Sequence, residues 1–230
     1  MRVVDLEHAR GSLARGLAGQ ALVDAAQDNA DMARILMELH SIAPNPRSRQ
    51  RFAARLRGRR GVVSARTVAD GLVILLRSVM TVDLRKDGAA CFREDRIAWT
   101  RVHVRSGKRA IGFQMDAVHA TRHVLQRRVE RSDCPLDGLL GDMDAAMARA
   151  LTRLAQGGVL TDREDDYLLA QRGVWAGGTE VMPADPAWGP AFRHGAALEV
   201  FAIRTFLGEE EMRPTVWLGW SEATSGARAA

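Results

Sequence analysis

The sequence predicts an α+β fold, an N-terminal helical region followed by a mostly antiparallel sheet with packed helices. Three observations carry that expectation. Residues 13–41 set Leu17, Leu22, Ala25, Met32, Ile35, Leu36 and Leu39 near helical spacing, with no proline before Pro44. "IAWTRVHVR" and "RAIGFQM" are rich in β-branched and aromatic residues and are separated by the turn signal "SGK". Helices and strands are segregated along the chain instead of alternating as regular βαβ units.

Taken in order, residues 13–41 form one long helix or two, and "SIAPNP" breaks them. "RSRQRFAARLRGRRG" predicts a short basic helix whose only apolar pair is Phe52 and Leu56, ending at Gly58 and Gly61. The run "VADGLVILLRSVMTVDLRKDG" fits a buried helix or a buried strand, and it reads as a helix passing into a short strand that ends at "KDG". After the hairpin over 97–115, a helix is expected over "MDAVHATRHVLQRRVER", with Asp116 as its N-cap. A second helix runs from about Leu136 to Gln156 and stops at Gly157 and Gly158. "DYLLAQRGVWAGG" predicts another hairpin with "GVWAGG" as a turn, "LEVFAIRTF" a strand, and "GEEEMRPTVWLGW" a helix interrupted by Pro214. The organisation expected is a helical, arginine-rich region over 1–62, an α+β domain over 63–222 and a loose tail over 223–230.

With 230 residues, 47% of them hydrophobic, the chain has enough material for a substantial core. It lacks a run of about 18 apolar residues and the apolar stretch of a secretory signal, so a cytoplasmic location and no membrane partner are expected. Cys91 and Cys134 fit no disulfide or CxxC pattern and read as reduced packing residues. The net charge of +5 favours an anionic partner, RNA or another nucleic acid, or a neutralising protein with an acidic surface. Of 33 basic residues only Lys86 and Lys108 are lysines, a bias that a GC-rich genome also produces. Clustering is therefore the informative feature: "NPRSRQRFAARLRGRRGVVSAR" holds eight arginines and no acid, whereas 133–185 is predominantly acidic. Arg47, Arg49, Arg51, Arg55, Arg59 and Arg60, with Arg131, are the candidate nucleic-acid contacts.

On a helix, His119, Arg122, His123, Gln126 and Glu130 share one sector, while Val118, Thr121, Leu125 and Val129 share another, and Arg127 stands at the margin. Imidazoles move protons near neutral pH, and guanidinium forks hold phosphoryl oxygens. A solvated face, phosphate gripping without chemistry, and acid/base catalysis all fit this pattern. His119 and His123 also have the i, i+4 spacing of a helical zinc pair, with Cys134 or His103 as third ligand, but the flanking cations oppose a divalent ion, so no metal and no cofactor is expected. The acidic "TDREDDY" reads as a solvated loop. Trp175, Trp188, Trp217 and Trp220 read as packing residues before base-stacking ones.

"VHATRHVLQRRVERS" resembles the His-Ala-x-x-Arg helix of RelE/ParE-type bacterial toxin domains, and "EVFAIRTFLG" resembles their late strand. The resemblance covers roughly 97–207 and extends to the wider barnase-like ribonuclease group. It implies metal-independent RNA cleavage with His119 as general acid or base, Arg122 and Arg127 on the scissile phosphate and Thr205 supplying a hydroxyl. His194 would be a second proton carrier, and the spacing lets either His119 or His123 face the groove. Against that expectation stand a non-catalytic nucleic-acid-binding protein using residues 47–66 and the 119–131 helix, and a structural or accessory protein of a mobile element.

Overall fold

Among the described residues, eight strands form one curled sheet in the order β1-β2-β3-β4-β8-β7-β6-β5, with six helices packed against it. The computed structural model describes residues 3–41, 45–86, 89–106, 111–132, 138–163, 165–184, 188 and 197–226. Helices α1 (Val3–Gln27), α2 (Met32–His40) and α3 (Pro46–Leu56) precede a four-stranded meander of β1 (Val62–Val68), β2 (Gly71–Lys86), β3 (Ala89–Ser106) and β4 (Ile111–Thr121). Helices α4 (Arg122–Arg131) and α5 (Leu139–Ala155) then lead into a second meander, β5 (Val159–Asp162), β6 (Asp165–Ala170), β7 (Gly173–Pro183) and β8 (Ala197–Leu207). A 3₁₀ turn at Glu209–Glu211 and helix α6 (Pro214–Gly226) follow. All neighbours pair antiparallel except β4 and β8, which run parallel and join the meanders. A parallel pair needs a crossover, and α4, α5 and the rest of the second meander supply it.

The expected mixed fold, largely antiparallel, is present, and four of its segments differ from the sequence reading. Within the 68–88 run no helix forms over the described residues: Val68 ends β1, and after the turn at 69–70 residues 71–86 are strand throughout as β2. Leu72, Ile74 and Leu76 bury on one face and Leu75 and Arg77 on the other, so the apolar run is continuous and period two is invisible to a hydropathy reading. Residues 115–121 belong to β4, not to a helix capped by Asp116. This alanine-bearing segment pairs with β3 along its length and with β8 over Ala117–Ala120, and two ladders outweigh its local helix propensity. Asp116 instead accepts two hydrogen bonds from Arg101, at 2.9 and 2.5 Å. The helix starts one turn later, where the Thr121 hydroxyl accepts the Val124 N–H at 3.4 Å. Pro214 opens α6 and does not interrupt it, the first helical position being the one where its missing N–H costs nothing. "GVWAGG" is likewise not a turn but the first six residues of β7, and Gly177 is required there: a Cβ would stand 2.2 Å from the Ala202 carbonyl oxygen, beside the bulge with β8.

One sheet face carries the larger core. Ala14, Ala18, Ala21 and Ala25 make a small-residue stripe that lets α1 lie close over α4 and α5, above Ile97, Trp99, Val118, Phe201 and Phe206. The other face is covered at its two ends. There α2 and α3 bury Ile35, Leu36, Leu39, Phe52 and Leu56 over β1–β3, and α6 lays Val216 on β6 and β7. Between those ends runs a strip of Ala117, Leu198 and Val200 with Met115, Met182 and Trp188.

A buried ionic cluster ties the first core together. Arg77 on β2, 6% exposed, donates to Asp28 after α1 at 2.7 Å and to Asp144 on α5, and the Trp99 indole N–H donates to the other Asp144 oxygen at 2.8 Å. Gly61, at φ +66°, accepts the Arg77 N–H at 2.7 Å. A Cβ there would come within 2.3 Å of the Ala30 amide nitrogen, so only glycine lets the β1 entry close on this cluster. Asp144→Ala would leave a buried guanidinium with one exposed partner and an indole with none, so a loss of about 3–5 kcal/mol is expected from urea denaturation. The joint Arg77→Met, Asp144→Leu replacement is expected to cost less than the single change. A single-variant loss under about 1 kcal/mol would mean the cluster is not what ties α5 to the sheet.

Candidate functional site

His119 lies on β4 with Ala98 of β3 and Ala202 of β8 as its cross-strand neighbours, and their small side chains leave room for the imidazole. It is 4% exposed, and its Nδ1 is buried without a hydrogen-bond partner among the described residues. Burial, reinforced by the Arg96 charge, pulls its pKa from 6.5 to about 4, so the ring is neutral at neutral pH. A hollow of about 360 Å³ opens beside it, lined by Glu94, Arg96, His119, His123, Glu180 and Arg204. The cations there are largely matched. Arg96 sits 2.9 Å from Glu94 and 3.7 Å from Glu180, and Arg204 sits 3.1 Å from Asp165. On its other side His119 borders a second hollow of about 400 Å³, walled in part by Met80, Thr100, Met182, Trp188 and Leu198, the strip that the helices leave open. One neutral imidazole thus separates a charged hollow from a more apolar one that also holds Asn29, Asp31, Ser78 and Thr100.

His119 and His123 do line one hollow, but across a strand-to-helix junction and not along a helix face. The other residues of the expected constellation are held elsewhere. Arg122 is exposed and donates to the Arg15 carbonyl on α1 at 3.2 Å. Arg127 pairs with Glu130 at 3.0 Å. Thr205 meets Arg131 at 3.4 Å, and Arg131 also donates to the Phe206 carbonyl at 2.6 Å and pairs with Glu211 at 2.8 Å, a clamp from α4 to the end of β8. His194 and Cys134 lie outside the described residues, as does the Cys91 side chain. His103 contacts Asp70 at 3.3 Å, and among the described residues no group of three or more His, Cys, Asp or Glu side chains converges to hold a metal. Sequence reasoning missed Glu94, Arg96, Glu180 and Arg204. Their signal was period two: 94, 96 and 98 point to one side of β3, but only the β4 register shows that His119 shares it.

The arginine-rich segment folds as α3 and the turn into β1. Asn45 caps the helix, its side chain accepting the Ser48 N–H at 2.9 Å, and Phe52, Ala53 and Leu56 bury against the sheet. Glu38 of α2 takes Arg59 in a two-pronged pair at 3.0 Å and Arg55 at 3.1 Å, and the Arg59 hydrogen bonds hold its carboxyl below the ordinary value. Arg47, Arg51, Arg57 and Arg60 are exposed with no carboxylate partner among the described residues, and Arg49 is half-buried.

The histidine predicts a pH dependence. Its folded pKa of about 4 lies below the unfolded value, so the unfolded chain takes up the proton first and stability falls as pH drops from about 6.5 towards 4. The full effect is roughly 3 kcal/mol. His119→Leu is expected to match or exceed the wild type in stability at pH 7 and to show a flatter acid limb over that window in urea titrations; parallel acid limbs would refute a buried neutral ring.

No protein-family model matches the chain, and no curated protein or solved structure is significantly similar to it, so the geometry of these sites alone carries the functional reading.

Proposed function

We propose that this protein binds a nucleic-acid backbone, RNA in the first instance, through α3 and the turn that follows it. The observation that carries this reading is the imbalance on that element: eight arginines and no acid over 45–66, of which Arg55 and Arg59 are matched by Glu38 while Arg47, Arg51, Arg57 and Arg60 face solvent unmatched. Elsewhere Arg77 of β2, Arg101 of β3 and the arginines of α4 meet acids or backbone carbonyls. Unmatched guanidiniums on a helix pinned by three buried side chains present fixed positive charge to phosphates, and the gain comes from counterion release and two-pronged hydrogen bonds. Such binding reads charge, not base sequence. Mixed-sequence single-stranded RNA is expected to bind with an affinity that falls steeply with salt. Replacing Arg51, Arg57 and Arg60 with glutamine should reduce the slope of log K against log salt by about 2. An unchanged slope would sink the assignment to α3.

A second reading, metal-independent RNA cleavage, is favoured by one observation, that His119 and His123 share a hollow with Arg96 and Arg204. In it the solvent-facing His123 serves as proton carrier, and Arg96 and Arg204 take the place expected of Arg122 and Arg127 on the phosphoryl oxygens. This reading predicts that labelled RNA is cut in the presence of EDTA and that His123→Ala abolishes cutting while leaving binding and its salt dependence intact. Intact RNA after prolonged incubation with the wild type leaves only the binding role.

A further inference from the structure

A third cavity, remote in sequence from α3, has a different character. It measures about 380 Å³ and is walled by Arg128 of α4, Arg149 and Arg153 of α5, the β6–β7 hairpin with Gln171 and Trp175, and Thr224 near the end of α6. Three guanidiniums meet there, and among the described residues no carboxylate lines the space. We propose that this cavity is a binding site for a small phosphomonoester dianion carrying an apolar or aromatic body.

Arg128 is built into the protein. It is 7% exposed, its guanidinium lies over the Phe206 ring at 5.0 Å and the Trp175 ring at 5.6 Å, and Asp142 holds its Nε at 3.2 Å. Its Nη1 is buried with no partner among the described residues, an unmet donor on a charged group in a protein interior. Arg153 uses one nitrogen on the Leu169 carbonyl at 2.6 Å, and burial together with the Arg149 charge lowers its pKa. Arg149 and Arg153 stand four residues apart on α5, a like-charge spacing that weakens a helix. Arg149 itself has no acid partner among the described residues. Three cations against the single carboxylate on Arg128 leave two positive charges, the complement of a phosphate dianion, and guanidinium forks match its oxygens. The remaining wall sets the apolar Ala146, Leu169, Ala170 and Trp175 beside the polar Gln171 and Thr224, and the volume suits a ligand of small-metabolite size. A free inorganic phosphate would leave that space unfilled.

The test is calorimetric titration of the full chain with phenyl phosphate, inorganic phosphate and phenol at low salt. Phenyl phosphate is expected to bind more tightly than inorganic phosphate, and phenol not to bind. Arg149→Gln, at an exposed position that does not support the core, should weaken phenyl phosphate by roughly tenfold or more, and Arg60→Gln on α3 should leave it unchanged. Absence of heat with phenyl phosphate at millimolar concentration overturns the proposal, as does binding that Arg149→Gln leaves intact. Equal loss from Arg60→Gln would overturn it too, since the anion would then be sampling surface charge at large. None of these outcomes depends on whether α3 binds RNA.

Discussion

Parallel pairing of β4 with β8 is the constraint on which the rest of the molecule depends. Each meander taken alone would expose its last strand as an open edge, and joining those two edges makes one eight-stranded sheet whose first strands, β1 and β5, lie at the outside. The join also sets the middle of the sheet where packing is tightest: Ala117, Val118, His119 and Ala120 are all buried, as are Val200–Ile203 opposite them. An imidazole at that seam has little solvent and the Arg96 charge nearby, which is why it stays neutral. The crossover demanded by a parallel pair then brings α4 and α5 over one face, where Asp144 meets Arg77 and Asp142 meets Arg128.

Arginine is used in two ways on this scaffold. Arg77, Arg101, Arg128 and Arg131 are interior or half-buried and bind acids or carbonyls contributed by other elements, so they work as braces: Arg77 and Arg131 between helix and sheet, Arg101 between two strands and Arg128 between two helices. Arg47, Arg51, Arg57 and Arg60 have no such partner and keep their charge for what lies outside. A buried guanidinium left half-satisfied is costly, and one on the surface is nearly free to keep. The two classes therefore differ in what explains them: bracing explains the first, whereas no contact within the fold explains the second, on α3 and the turn after it.

Legibility in the sequence followed the physics of burial. The β3–β4 and β6–β7 hairpins, β8 and α5 could be read because turn residues or glycine stops punctuate them and one local pattern dominates each. β2 could not, since both its faces are covered, and the end of β4 could not, since alanine and histidine carry no strand signal of their own there and two neighbouring strands decide the matter. Half of the histidine site was legible for a reason other than the one assumed. His119 and His123 meet because the chain changes from strand to helix at Thr121, not because four residues make a helical turn.

Pairing of charges was the least legible property, and it is what separates a site from a surface. Glu38 lies 17 and 21 residues from the arginines it neutralises, Asp144 lies 67 from Arg77, and the Thr205 that Arg131 touches is 74 away. Local composition sees arginine density and nothing of these partners, so the 115–131 segment and the 45–66 segment look alike in sequence. In three dimensions they differ in kind. The first has its cations taken up by Glu130, Asp142, Glu211 and the carbonyls of Arg15 and Phe206, while in the second only Arg55 and Arg59 meet a carboxylate among the described residues. Charge left unanswered after folding is thus concentrated on α3 and the turn that follows it, whereas along α4 most of it is taken up by partners from other elements.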